Sequence, residues 1–310
     1  MEKIAIVGCG LIGRAWTMVF ARAGHPVTLY DSVPETVGKA VGLIREGLEE
    51  LHRAGLITEL PEAIMRRVTT SGTLAGAVAE ADYVQENTAE RVEVKRDVFR
   101  DLDAIAPADC ILASSTSTIQ TSRFTENLPG RHRCIVAHPT NPPHVVPVVE
   151  ISPAPWTSPA VVARTLALQE RVGQVPITVR KEVEGFILNR LQGALLLEAW
   201  RLVKEDYVSV DDLDKCLKDG LGLRWAFMGP FETIDLNAPG GVADYARRYG
   251  PLMYGMLKDV RPEPWDDALV AKVEGERRKS MPHSEHAERE AWRDRRLMAL
   301  VAHKRAAEKE

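Results

Sequence analysis

Cysteine is scarce and scattered in this sequence. The 310 residues hold four, Cys9, Cys110, Cys134 and Cys216, with no C-x-x-C pair among them, so neither a disulfide framework nor a thiolate metal site is legible. Three stand beside apolar, strand-like runs, and all four read as reduced thiols of a cytoplasmic protein. No apolar run approaches the roughly 18 residues that a membrane span needs. Basic excess is missing too: a formal charge of −4 and a pI near 6.1 argue against a nucleic-acid partner. No signal-peptide pattern precedes the strand-like run that begins at residue 3, so export is not expected. His283 and His286 stand among exposed charges, and no metal site is expected there. What remains is an ordinary globular composition, 45% hydrophobic, on a chain long enough for two domains.

The chain opens with an apolar strand, Lys3 to Val7, that runs into Gly8-Cys9-Gly10-Leu11-Ile12-Gly13 and then into a helical pattern from Ala15 to Ala23. Strand, glycine turn and helix form a dinucleotide fingerprint: Gly8 permits the tight turn, Gly10 lets backbone approach a pyrophosphate, and Gly13 lets the helix pack on the strand. The helix N-terminus then faces the phosphates. A second strand, Pro26 to Tyr30, ends at Asp31, 18 residues beyond Gly13, where a ribose-binding carboxylate belongs. Asp31 accepts hydrogen bonds from ribose hydroxyls and repels a 2′-phosphate, so the expected cofactor is NAD rather than NADP.

From Pro34 to Arg67 apolar residues recur at helical spacing, Val37, Val41, Ile44, Leu48 and Leu51, which predicts a helical hairpin beside the sheet. Its basic residues, Lys39, Arg45, His52 and Arg53, are mixed with acids and read as a solvated face. Short strands are expected at Val68 to Thr70, Ala81 to Glu86 and Ile111 to Ala113. The second releases a loop carrying Glu90, five residues before Lys95 in the first turn of the next helix. The third delivers a hydroxyl cluster, Ser114-Ser115-Thr116-Ser117-Thr118. Strand ends are where ligands bind in such sheets, although a hydroxyl run also serves to cap a helix.

The stretch Cys134 to Ile151, CIVAHPTNPPHVVPVVEI, is so rich in proline that it is expected to be neither helix nor central strand, which leaves His138 on a stiff loop. It puts His138 after one apolar run and Glu150 at the end of another, Val145 to Val149, so a returning strand can bring the carboxylate to the imidazole. That is a base with an orienting partner. A core histidine bonded to a carbonyl fits the segment equally well, and both readings stand at this point.

A helix from Pro159 to Val172 and a strand from Pro176 to Val179 close the first half, and from Phe186 onward the pattern is helical. Asn189 and Arg190 stand near the start of that half in apolar company, where a buried polar side chain needs a partner or a substrate. Further on, Gly220 to Pro230 reads as a glycine-rich loop carrying one cation, Arg224. Helices are expected at Asp211 to Lys218, Ala268 to Arg278 and His286 to Lys309.

Several of these segments, in order, resemble the 3-hydroxyacyl-CoA dehydrogenase family across almost the whole chain. GLIGRAW, SSTS, VAHPTNPP, VEGFILNRLQ, EAWRLV and GLGLRWAFMGPFET are most similar to the lambda-crystallin branch, whose enzymes act as L-gulonate 3-dehydrogenases. The resemblance implies an α/β fold, a Rossmann-type doubly wound sheet over residues 1–182, followed by an all-helical substrate and dimerisation domain over 183–310. It implies His138 as catalytic base with Glu150 as its partner, and Ser117 and Asn189 as the groups that hold substrate oxygens. It also implies NAD contacts at Leu11, Ile12, Asp31, Glu90 and Lys95, with Ser117 and Asn141 near the nicotinamide. Many acyl-CoA relatives carry a shorter apolar run where this chain reads GLGLRWAFMGP. Arg224 is therefore expected either to meet a substrate carboxylate, within its own subunit or across a two-fold axis, or to pair with an acid at a subunit interface. The implied activity is oxidation of the 3-hydroxyl of a small 3-hydroxy acid, L-gulonate first, with 3-hydroxyacyl-CoA or L-carnitine as alternatives and a non-enzymatic structural role last.

Overall fold

A computed structural model of the chain describes residues 1–258 and 260–307. The first half alternates strand and helix: β1 (Ile4–Val7), α1 (Leu11–Arg22), β2 (Val27–Tyr30), α2 (Pro34–Arg53), α3 (Pro61–Met65), β3 (Val68–Thr70), α4 (Leu74–Val78), β4 (Tyr83–Glu86), α5 (Val92–Ile105), β5 (Ile111–Ser114), α6 (Ser122–Thr125), β6 (Cys134–Pro139), β7 (Val148–Pro153), α7 (Pro159–Arg171) and β8 (Val175–Thr178). The strands form one sheet in the order β3-β2-β1-β4-β5-β6-β7-β8, parallel except where β7 turns back antiparallel to β6. Because β2 lies on one side of β1 and β4 on the other, the chain reverses its winding beside β1, and the cleft at that switch point opens at the carboxyl ends of the strands.

The central strands are buried on both faces because helices cover both, which is why β1, β4 and β5 contain no exposed residue. On one face α1 buries Ala15, Trp16, Val19 and Phe20, and α2 adds Val37, Ala40, Ile44, Leu48 and Leu51, spaced three or four apart as a helix stripe requires. On the other face Phe99 and Leu102 of α5 and Phe124 of α6 close a second cluster with Val84, Leu112 and Val136.

Seven further α-helices follow among the described residues: α8 (Leu188–Lys204), α9 (Val210–Lys215), α10 (Gly222–Trp225), α11 (Pro230–Leu236), α12 (Gly241–Leu257), α13 (Asp267–Ser280) and α14 (His286–Ala307). The chain forms two compact units: one runs from Met1 to Arg190 and takes back the C-terminal stretch from Arg293, and the other is Leu191–Trp292. The stretch from Arg293 returns to the first unit, where Met298 is buried and Leu297 and Val301 pack against the core. In the second unit α12 has no buried residue at all and leaves Leu252, Met253, Tyr254, Met256 and Leu257 exposed.

Two local expectations change. The helix expected from Phe186 begins at Leu188, because Gly185 and Phe186 both take positive φ, 73° and 48°, and break the α-helical path before it. The glycine-rich stretch around Arg224 is helical rather than a loop: Cys216–Leu221 winds as a π-turn and continues into α10. A Cβ at Gly222 would stand 2.8 Å from the Leu217 carbonyl oxygen, so this glycine admits the wide winding instead of opening the chain. The final helix expected to Lys309 is seen to Ala307; residues 308–310 lie outside the described residues. Among the described residues no helix is long and apolar enough to cross a membrane.

Candidate active site

The glycine turn between β1 and α1 is built for close approach. Gly8 sits at φ 93°, and a Cβ there would stand 2.7 Å from the Asn87 carbonyl oxygen at the end of β4. A Cβ at Gly13 would stand 1.9 Å from the Gly8 carbonyl oxygen, so helix and turn can meet only over a glycine. Gly10 differs: a Cβ there would touch nothing within 4 Å, and it is also the N-cap of α1, with no side chain capping the helix. An anion fits against the free amides of that first turn. Leu11 is exposed and Ile12 half-buried on the same turn. Asp31 follows β2, its Oδ2 accepting from the Cys9 amide at 2.8 Å and its Oδ1 from the Val33 amide at 3.0 Å. Both amides aim the carboxylate and leave lone pairs for ribose hydroxyls. These residues fit a dinucleotide with a free 2′-hydroxyl.

His138 lies not on a loop but near the carboxyl end of β6, an interior strand whose only proline is its last residue, Pro139, and the antiparallel register places it directly opposite Glu150 of β7. Both are buried, and His138 Nδ1 lies 2.8 Å from Glu150 Oε2. A carboxylate only accepts, so Nδ1 carries the proton and Nε2 presents a lone pair. Nε2 has no hydrogen-bond partner among the described residues. The other oxygen of Glu150, Oε1, accepts the amides of Ile187 at 2.7 Å and Leu188 at 2.9 Å, where α8 begins. Burial works against the charge on Glu150, but the hydrogen bonds from His138, Leu188 and Ile187 outweigh it and hold the carboxyl below its usual range. The ring of Phe186, completely buried, packs 5.4 Å from the imidazole centroid to centroid.

A second carboxylate system borders the same strand ends. Glu90 Oε1 accepts from the Thr116 hydroxyl at 2.6 Å and from the amides of Ser117 at 2.8 Å and Thr118 at 3.0 Å. Burial raises the Glu90 pKa, yet the Thr116 hydroxyl, the Lys95 charge and these amides bring it below the ordinary value. The Ser117 carbonyl accepts from Asn189 Nδ2 at 2.8 Å. Ser117 is thus gripped at its N–H by Glu90 and at its C=O by Asn189, while its own hydroxyl has no partner among the described residues. Lys95, only 1% exposed, pairs with Glu86 at 3.0 Å and Glu90 at 3.7 Å. Glu90, with 41% of its side chain exposed, is therefore the member of that group open to solvent.

Glu86 and Phe186 were not legible as site residues. Glu86 ends β4, is fully buried, and accepts from Thr88, Ser114 and Lys95. The one available signal was an acid closing an apolar strand. Asn141 is exposed on the loop after β6. Lys39, Arg45 and Arg53 lie exposed on α2, and His52 bonds the Ile57 carbonyl, so that helix keeps its solvated face. Arg224 belongs to the second unit, exposed on α10, with no ion pair among the described residues.

A Rossmann-type sheet with this glycine turn and this carboxylate, followed by a helical unit, defines an NAD-dependent dehydrogenase acting on an alcohol carbon. The chain belongs to the 3-hydroxyacyl-CoA dehydrogenase family: the family's NAD binding domain matches residues 3–183 and its C-terminal domain residues 185–281. It is 45% identical to the lambda-crystallin homolog of Bos taurus, covering 96% of this chain and 94% of that one. It is 37% identical to the L-carnitine dehydrogenase of Streptomyces coelicolor, covering 81% and 78% respectively. Among solved structures, 5-formyl-3-hydroxy-2-methylpyridine 4-carboxylic acid 5-dehydrogenase, an NAD-dependent dismutase, superposes with a TM-score of 0.83 at 28% identity over 99% of both chains.

Proposed function

We propose that this chain is a cytoplasmic, homodimeric dehydrogenase that oxidises the 3-hydroxyl of a small free 3-hydroxy acid with NAD, L-gulonate to 3-dehydro-L-gulonate first among candidates, with His138 as general base. The observation that carries the reading is the His138–Glu150 pair, with Nδ1 fixed at 2.8 Å on a buried carboxylate and Nε2 without a partner among the described residues. NAD supplies the hydride acceptor when bound. The chain's own groups handle the proton: His138 Nε2 takes it from the substrate hydroxyl as the C–H bond breaks, and the Glu150 carboxylate stabilises the imidazolium that results. The Ser117 hydroxyl, held by its backbone on both sides, donates to the reacting oxygen, and Asn189 offers its remaining amide N–H and its carbonyl to the neighbouring substrate group. Glu90, Ser117 and Asn141 border the nicotinamide ribose, with buried Lys95 acting behind Glu90 as its counter-ion rather than as a direct contact, while Gly8, Gly10, Leu11, Ile12, Gly13 and Asp31 take the adenosine and pyrophosphate.

Arg224 is the proposed carboxylate receptor, and its guanidinium, exposed and without an ion pair among the described residues, supports that role. The uncovered apolar side chains of α12 support the homodimer. NADH formation measured side by side with L-gulonate, L-carnitine and 3-hydroxybutyrate, together with NADH consumption on acetoacetyl-CoA, tests the substrate; turnover on the thioester alone would overturn the free-acid reading. His138→Gln is expected to keep NAD affinity and to lose two to four decades of turnover, on the order of what a general base supplies. Normal turnover in that variant refutes the base.

A further inference from the structure

The His138–Glu150 pair is only as good as the turn that closes over it, and that turn is conformationally expensive. Phe186 is one of two non-glycine residues with positive φ among the described residues, at 48°, and it follows Gly185 at 73°. A left-handed backbone is strained for a bulky residue, so something must hold it. Two contacts do: the Phe186 ring is completely buried with its centroid 5.4 Å from that of His138, and the amides of the next two residues, Ile187 and Leu188, both bond Glu150 Oε1. The same reversal therefore packs an aromatic ring against the imidazole and aims two N–H groups at its carboxylate partner.

We infer that Phe186 is a positioning residue for the proton transfer: its left-handed turn delivers the Ile187 and Leu188 amides to Glu150, and its ring keeps water from the His138–Glu150 hydrogen bond. Neither function involves cofactor or substrate contact, so the effect of losing it belongs in turnover rather than in binding. In a wet, loosely aimed pair the imidazole loses the fixed orientation that a general base requires, and the carboxylate loses the low-dielectric setting in which it stabilises the imidazolium best. The inference rests on the reading of His138 as the base.

Phe186→Gly removes the ring and relaxes the backbone; Phe186→Leu keeps an apolar wall at the same turn; Gly185→Ala strains the turn without touching the ring, since its Cβ would meet nothing closer than 3.7 Å. For each, kcat, KM for the best substrate of the panel and the NADH dissociation constant are measured well below the melting temperature. The expected result is a kcat at least about 30-fold lower in Phe186→Gly, with NADH affinity within about twofold, and a return to within about fivefold of the native kcat in Phe186→Leu. Gly185→Ala is expected to lower kcat about tenfold at unchanged NADH affinity, and it carries the test should Phe186→Gly fail to fold. A folded Phe186→Gly with native kcat, or a loss confined to KM and NADH affinity, overturns the inference while leaving the base in place. An active His138→Gln overturns both.

Discussion

At the scale of single residues, the carboxylates around the strand ends do unlike work for a physical reason. Glu86 is a buried counter-ion: Lys95 has almost no contact with water and draws its compensation from Glu86 at 3.0 Å and Glu90 at 3.7 Å. Removing one partner of such a pair strands a charge, so Glu86→Gln should lose about 3–5 kcal/mol in urea unfolding, and Glu86→Gln combined with Lys95→Met should recover most of it. Glu150 links stability to pH instead. Its folded pKa lies below the ordinary 4.5, so the unfolded state binds the proton more tightly; the stabilisation is complete above that value and is lost as pH falls through the folded one. The gap in unfolding free energy between the native chain and Glu150→Gln should therefore narrow as pH drops below about 4.5, which equilibrium unfolding at stepped pH will read.

At the scale of elements, the β1–α1 turn separates two uses of glycine. Gly13 lets α1 pack where any Cβ would collide with the Gly8 carbonyl, so Gly13→Ala should lower both melting temperature and NADH affinity. Gly10 faces open space within the protein, so Gly10→Ala should keep the native melting temperature and weaken NADH by about tenfold or more, measured by fluorescence titration. Spacing in the sequence names both glycines but cannot distinguish them, because the distinction lies in what stands opposite. The antiparallel pairing of β6 and β7 makes the same point. The apolar runs flanking the proline loop offered a returning strand, whereas the facing of His138 and Glu150 is a matter of register, and a slip of one residue would turn Glu150 to the other side of the sheet.

At the scale of the whole chain, the α/β half followed by a helical half was legible from the alternation of short apolar runs with helical periodicity. The helical unit holds what periodicity could not reveal. Helix α12 spans 17 residues without burying one, although its apolar content would predict a core. A second copy of the chain is the proposed cover, and Leu252→Asp with Tyr254→Asp should convert the dimer into a folded monomer by light scattering without altering NADH affinity. An unchanged molecular mass would remove that face from the interface.

By itself the sequence determined the strand–turn–helix start, the NAD-type carboxylate at Asp31, the segments that carry His138 and Glu150, and the helical character of the second half, since each depends on residue type and spacing along a few turns of chain. Only the tertiary structure decided that Glu86 neutralises Lys95, that Glu90 and Asn189 grip the backbone of Ser117, and that Phe186 closes the turn over His138. Those contacts join residues that lie 9 to 72 positions apart and belong to different elements, and a hydrogen bond or a buried charge pair is defined by distance in space, which local pattern does not encode.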